Sequence, residues 1–189
     1  MPSSVNNVTK QLIRKQMLDQ RNQLSEEQVT SFSQKIVEQI QNTQIYHQAK
    51  VIAMYYPMRK EVNLLPLLAD LKKKFVFPKI LDAKRKILGF APIVDTVLPG
   101  IFNTMEPDGE VIDSNVIDLY LIPGLAFSPQ GDRLGYGAGY YDFFLRQQRG
   151  VKMGVSYSCQ MIDFIPHEAH DVLMDEWVTE EGWMIRSPQ

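Results

Sequence analysis

Cysteine is the scarcest chemistry in this sequence: Cys159 is the only thiol among 189 residues. A single thiol excludes an intrachain disulfide, fits a reducing compartment, and reads as a small apolar filler. Long apolar runs are missing as well. None approaches the about 20 residues that a membrane-crossing helix needs. Residues 1–11 lack the basic-then-apolar order of a secretory leader, so a cytoplasmic location away from the membrane is expected. Charge of one sign is not in excess: 20 Lys and Arg face 22 Asp and Glu, a net charge of −2. That leaves no basic field to favour nucleic acid. The short basic clusters Lys72-Lys73-Lys74 and Lys84-Arg85-Lys86 read as solvated helix ends or turns. Repeats, low-complexity tracts and linkers rich in Gly, Ser or Pro are absent too, so one domain over residues 1–189 is expected.

What is present is 44% hydrophobic content. That is enough for a core burying roughly 70% of the unfolded surface. Residues 5–21 have helical periodicity, with Val8, Leu12, Ile13 or Lys15, and Met17 on one side and Lys10, Gln11, Arg14 and Arg21 mostly elsewhere. Ser25 with Gln28 three residues later is a capping-box signature, and Val29, Phe32, Ile36, Val37 and Ile40 give the following helix its apolar face. Lys50–Pro57 is a continuous apolar run too short for a typical helix and reads as a buried strand closed by Pro57. A helix is expected from Asn63 or Leu64, with Pro66 in its first turn. FVFPKI and KRKILGFAPI read as strands, and residues 95–113 as irregular chain rich in turn pairs. VIDLYLIPGLAF has the unbroken apolar character of a central strand, followed by a helix at YYDFFLRQQR. VKMGVSY is a further strand, and WVTEEGWMI two short ones around Glu181-Gly182. Helices alternating with short buried strands indicate a layered α/β domain.

Between the central strand and the helix at Tyr140 lie three alternating glycines, Gly135, Gly137 and Gly139. Ligands of open α/β sheets collect beyond the carboxyl ends of strands. Alternating glycines let successive N–H groups turn toward one anion without interference from Cβ atoms, and a helix N-terminus favours negative charge. Arg133 adds a fixed charge of bidentate geometry. Local physics therefore leaves two readings: an anion-binding loop, or a tight turn whose glycines only permit close packing. The Walker pattern G-x-x-x-x-G-K-[ST] is absent, and G-x-G-x-x-G fails because Tyr140 and Asp142 stand where its third glycine would be. HEAH, His167 to His170, has its histidines three apart rather than four, with no cysteine nearby, and does not read as a zinc site. The hydrolase elbow G-x-S-x-G is also absent.

The ordered set Pro123-Gly124, Phe127, Gly131, Arg133-Leu134-Gly135, Gly137, Gly139 and Tyr140-Tyr141-Asp142 resembles the signature of the 5-formyltetrahydrofolate cyclo-ligase family. The resemblance extends over most of the chain. Lys10 and Arg14 match a family lysine and arginine four residues apart, a spacing that shares one helical face. YYPMRKEVN matches the strand-end segment with Glu61, FPKI the Pro-Lys strand, GIFNTMEP the Glu106-Pro107 element, and IPHEAHDVLMDEWVTE the closing segment with Asp171 and Asp175.

This resemblance implies a single three-layer α/β/α domain with a central, mainly parallel but mixed, Rossmann-like sheet. It implies an enzyme that uses ATP and Mg²⁺ to convert 5-formyltetrahydrofolate into 5,10-methenyltetrahydrofolate, releasing ADP and phosphate. On that reading Lys10, Arg14 and the loop Arg133, Leu134, Gly135, Tyr136, Gly137, Ala138, Gly139, Tyr140 and Tyr141 hold ATP, with Arg133 a candidate for stabilising phosphate. Asp142 and Asp171 hold the metal, and Tyr56, Glu61 and Tyr136 hold the folate. Without the resemblance, Lys10 and Arg14 read as a solvated helix face, Asp142 as a helix-start charge, Asp171 as a surface carboxylate and Glu61 as a loop carboxylate. Ala138, Ser128 and Asn63 depart from the family pattern and bear on affinity and pocket detail. Phe90 and Phe102 are candidates to cover the folate, with core packing the simpler role for each. A monomer is expected. Two rivals stand beside this reading: a non-catalytic ATP- or folate-binding or regulatory protein of the same fold, and an ATP-dependent enzyme for another N-formyl or amide substrate.

Overall fold

The structure, a computed structural model, describes residues 2–100 and 105–186, with side chains from residue 9 onward. Phe102 therefore lies outside the described residues.

Two long helices come first: α1 at Pro2–Asn22 and α2 at Glu26–Gln41. The Ser25 hydroxyl accepts from the Gln28 N–H while the Gln28 side chain accepts from the Ser25 N–H, so the reciprocal cap forms at the expected boundary. A short helix α3 (Gln44–Gln48) leads into strand β1 (Val51–Ala53). The strand is shorter than expected, and residues 54–61 continue beyond its end as irregular chain. The helix expected from Asn63 or Leu64 is a correction. Only a 3₁₀ turn, Leu65–Ala69, forms there. Asn63 accepts from the Leu65 N–H in a local side-chain turn, and Pro66 offers no N–H.

Strands β2 (Lys74–Asp82) and β3 (Ile87–Ala91) form an antiparallel pair around a tight turn. The segment expected to be irregular contains a small hairpin, β4 (Val97–Pro99) with β5 (Met105–Pro107). Next come β6 (Leu119–Pro123), the two-residue strands β7 (Ala126–Phe127) and β8 (Arg133–Leu134), and helix α4 (Tyr140–Leu145). Strands β9 (Val151–Val155), β10 (Glu176–Thr179) and β11 (Gly182–Ile185) complete the chain.

The main sheet runs β11-β10-β9-β6-β1-β2-β3. Its five central strands are parallel and only the two edges, β11 and β3, are antiparallel. Alternate residues of each central strand enter opposite cores. Ile52, Phe75, Phe77, Leu119 and Leu121 join Ile36, Val37 and Ile40 of α2 on one face. Ala53, Val76, Tyr120 and Ile122 join Leu145 of α4 on the other. This two-sided burial explains the unbroken apolar strands and gives the mainly parallel α/β/α arrangement.

From β1 the chain proceeds outward through β2 on one side and through β6 and β9 on the other. The strand order therefore reverses between β1 and β6, where ligands of open α/β sheets gather. Residues 54–61 follow β1, and the glycine loop follows the β6–β8 segment, so the sheet delivers both to one crevice.

Helix α1 keeps Met17 and Ile13 inward as expected but corrects the placement of Leu12, Lys10 and Arg21. Leu12 is 65% exposed, whereas Lys10, Met17 and Arg21 are buried. Met17 packs in a small third cluster with Leu125, Ala126, Leu134 and Ile165. The helix thus buries two cations, Lys10 and Arg21, beside its apolar residues, which only acidic partners beneath it make tolerable.

Candidate functional site

A cavity of about 900 Å³ opens at this crevice. Every site residue expected from the sequence lines it: Lys10 and Arg14 from α1, Tyr56 and Glu61 after β1, the whole run Arg133 to Asp142, and Asp171. Four segments far apart in sequence therefore meet around one space.

At one end lies the glycine loop. Gly137 and Gly139 have φ of 99° and 78°, left-handed conformations that L side chains rarely adopt. Each glycine also faces a cation where its side chain would stand. A Cβ built on Gly135 would lie 2.8 Å from Arg133 Nη1, one on Gly137 3.4 Å from Arg14 Cζ, and one on Gly139 3.5 Å from Lys86 Nζ. Arg14 Nε also donates to the Gly135 carbonyl at 2.9 Å. The missing side chains thus let two guanidinium groups and an ammonium approach a loop whose amides are themselves anion-seeking.

Lys86 was not expected here. Its cluster read as a solvated turn, and the side chain is exposed as that reading requires. The turn is nevertheless fixed beside the loop. Asp82 accepts from the Lys84 and Arg85 amides, and the Tyr140 hydroxyl donates to the Ala83 carbonyl.

Arg133 is buried at the base of the loop. Its Nη2 donates to Asp142 at 2.9 Å, its Nη1 to the Pro123 carbonyl at 3.3 Å, and its guanidinium lies over the Tyr141 ring. Beside it, Lys10 Nζ donates to Asp171 at 2.7 Å and to Glu168 at 3.0 Å. Burial works against the Lys10 charge, but these two carboxylates outweigh it and raise its pKa. Burial lowers that of Arg14, against the pull of Asp171, Glu168 and Asp142. Those three carboxylates therefore all act on one cation. Glu168, His170 and Asp171 offer ligand atoms within 4.8 Å of one another. With Asp142 nearby, the set is rich in the hard oxygen donors a divalent cation such as Mg²⁺ takes. Glu168 was missed as a member of the site, because a solvated acidic segment has the same sequence character, and His170 was weighed only as a zinc ligand, where the HEAH spacing tells against it.

At the other end sits Glu61, only 6% exposed. Its carboxylate accepts from the Met58 N–H at 3.1 Å and from the Tyr136 hydroxyl at 3.0 Å. Burial raises its pKa, with Arg21 the leading opposing influence. Burial also pushes the Tyr136 phenol up to about 12. Tyr136 belongs to the glycine loop, so the two ends of the cavity are joined through its side chain. Behind both lies Arg21, fully buried, donating to the Tyr136 hydroxyl and standing 3.8 Å from Glu61. Arg21 was also missed. Its signal was the spacing Lys10, Arg14, Arg21 along one helix, which puts all three on neighbouring turns of a single face. Tyr56 stacks at a tilt on Phe77. Phe90 is core, against Tyr120 and Phe144.

No helix among the described residues is long and apolar enough to cross a membrane. Residues 6–180 match the model of the 5-formyltetrahydrofolate cyclo-ligase family. The chain is 31% identical to the 5-formyltetrahydrofolate cyclo-ligase of Mycoplasma pneumoniae, over 91% of this chain and 99% of that relative. It is 30% identical to the Haemophilus influenzae enzyme of the same name, over 78% and 81%. Its fold is similar to the solved structure of Aquifex aeolicus 5,10-methenyltetrahydrofolate synthetase, with a TM-score of 0.85 and 32% identity over 95% and 94% of the two chains.

Proposed function

The chain belongs to the 5-formyltetrahydrofolate cyclo-ligase family, a family of enzymes, and on that premise we propose that it uses ATP and Mg²⁺ to close 5-formyltetrahydrofolate into 5,10-methenyltetrahydrofolate. One observation carries the reading: a single cavity has a cation-ringed glycine loop at one end and a buried carboxylate at the other, joined by Tyr136.

A formamide oxygen is a poor leaving group and its carbon a weak electrophile. The formyl oxygen attacks the γ-phosphorus of ATP and ADP departs. N10 of the same folate then attacks the activated carbon, its N–H proton passes to the departing phosphate or to solvent, and the C–O bond breaks to release phosphate. The second step is intramolecular, so orientation supplies much of its rate. For the first, the protein's contribution is positioning and neutralisation of charge. The amides of residues 133–141, with Arg133, Arg14, Lys10 and Lys86, hold the triphosphate. Glu61 accepts from N–H groups of the pterin ring, and Tyr56 and Tyr136 pack against it. Asp142, Asp171 and Glu168 fit the metal, which supplies further neutralisation of phosphate charge when bound.

Lys10, paired in this structure with Asp171 and Glu168, then exchanges or shares partners when the triphosphate arrives. A single domain, a monomeric state and a cytoplasmic location belong to the same reading.

The test is direct. Protein, MgATP and 5-formyltetrahydrofolate are mixed and the near-ultraviolet band of the methenyl product is followed. Folate-dependent ATP consumption with growth of the band supports the proposal. Binding of both ligands without product supports a non-catalytic member, and turnover of a different formamide overturns the substrate assignment.

A further inference from the structure

Behind the cavity lies a cation that does not line it and has no access to solvent. Arg21 is 0% exposed and the largest fully buried side chain in the described protein. A guanidinium keeps its charge at any working pH, so burying it demands partners. Its partners are the Glu61 carboxylate and the Tyr136 hydroxyl, and Tyr136 also donates to Glu61. Three side chains from α1, the segment after β1 and the glycine loop thus close a triangle behind the cavity wall.

We propose that Arg21 is a positioning residue: its guanidinium holds Glu61 as a charged acceptor facing the cavity and fastens the glycine loop to that acceptor through Tyr136. The inference rests on the folate-binding role given to Glu61 above and adds a residue that touches neither substrate.

Alternatives to Arg21 as the source of that charge are few. The groups facing Glu61 are Arg21 from α1, Tyr136 from the glycine loop, and the Met58 amide and Arg59 from its own turn. Tyr55 at the end of β1 and Tyr141 at the start of α4 also feel its charge. The tyrosines are neutral at working pH, and burial raises all three. Arg59 is exposed and stacks over the outer Tyr136 ring, where solvent screens it. Arg21 is the buried cation of the set. Loss of an opposite charge at such range raises a carboxyl group by about one pH unit or more.

The experiment compares wild type, Arg21→Lys, Arg21→Met, Glu61→Gln and the double variant Arg21→Met/Glu61→Gln. Binding of 5-formyltetrahydrofolate and its kcat/KM are both measured from pH 5 to pH 9, with ATP KM alongside. In Arg21→Met the acid limb of folate binding moves to higher pH by about one unit or more, while Arg21→Lys leaves the limb in place. In the Glu61→Gln background, the second substitution costs less than threefold further in folate affinity. An unmoved limb in Arg21→Met, or losses that simply multiply in the double variant, overturns the inference and leaves Arg21 a packing residue. Should Arg21→Met fail to fold, the comparison of Glu61→Gln with the double variant, in which no buried carboxylate is left unpaired, decides the matter. Because binding is read as well as turnover, a wild type that binds folate without forming product sinks the proposed reaction and leaves this inference to be judged on the limb alone.

Discussion

Lys10 and Asp171 are separated by 161 residues of chain and by 2.7 Å in the fold. The contact brings the inward face of α1 onto the closing segment of the protein and puts a nearly buried ammonium among carboxylates. On the proposed function this ammonium reaches the triphosphate. Lys10→Met therefore raises the KM for ATP roughly ten- to hundredfold, the equivalent of a charge-assisted hydrogen bond of about 1.5–3 kcal/mol. The KM for 5-formyltetrahydrofolate changes far less. Steady-state kinetics with each substrate varied in turn checks this, and equal loss on both substrates contradicts it.

Lys86 stands over Gly139 from a neighbouring hairpin. Its exposure limits its contribution to about 0.2–1 kcal/mol. Lys86→Gln should raise the KM for ATP no more than about fivefold, and the effect should shrink as salt is added. A salt titration of the two proteins measures it. An unchanged KM at low salt removes Lys86 from the nucleotide site.

Tyr136 donates to Glu61 from within the glycine loop. Removing its hydroxyl in Tyr136→Phe unfastens the loop and strips Glu61 of a donor together, so both KM values rise, whereas Lys10→Met affects one. Ultraviolet titration of the wild type provides a second check. Its tyrosinate signal includes a component held back to about pH 12, to which Tyr46 and Tyr136 both contribute, and that component shrinks by one tyrosine in Tyr136→Phe.

Gly139 has φ of 78°. Gly139→Ala places an L side chain in the left-handed region at a cost of about 1–2 kcal/mol. For a chain of this size each kcal/mol corresponds to roughly 2–4 °C of Tm. Thermal unfolding monitored by circular dichroism reads the loss. The new methyl group meets Lys86 Nζ only at ordinary contact distance, 3.5 Å, so the backbone conformation sets the penalty. A melting temperature equal to wild type contradicts the left-handed conformation.

Glu61 is the carboxyl group whose pH dependence matters most. Its burial raises the pKa above the ordinary 4.5. The folded state therefore holds this proton more tightly than the unfolded chain does. The part of the stability tied to Glu61 favours low pH and declines as pH rises through the raised pKa. Function runs the opposite way, since the proposed acceptor is the charged form. Folate kcat/KM should fall on acidification at a pH above that of an exposed glutamate, and Glu61→Gln should abolish that limb. A profile flat from pH 5 to pH 8 contradicts the role.

Much of the fold was legible because its signals are local. The capping box at Ser25 and Gln28, the apolar run Leu119–Ile122 and the turn at Glu181-Gly182 each depend on neighbours a few residues away, and each appears where it was expected. The helix expected after Asn63 depended on competition between a weak periodicity and a side-chain turn, and the turn prevailed. Helix α1 was assigned correctly as an element, and Met17 and Ile13 face inward as expected, but Leu12, Lys10 and Arg21 were placed on the wrong sides. Hydrophobicity placed Leu12 inward, but the surface beneath the helix holds Glu61, Glu168 and Asp171, and it draws in Lys10 and Arg21 instead.

By itself the sequence determined the layered α/β class, the strand-to-helix glycine loop and the family signature around it, because backbone preferences and residue order act over short stretches of chain. Tertiary structure alone decided that Lys86 stands over Gly139, that Lys10 meets Glu168 and Asp171, and that Arg21 is sealed behind Glu61 and Tyr136. Those relationships link segments with no local reason to meet. A charge becomes buried, paired or free only when the whole sheet has assembled the dielectric and the partners around it.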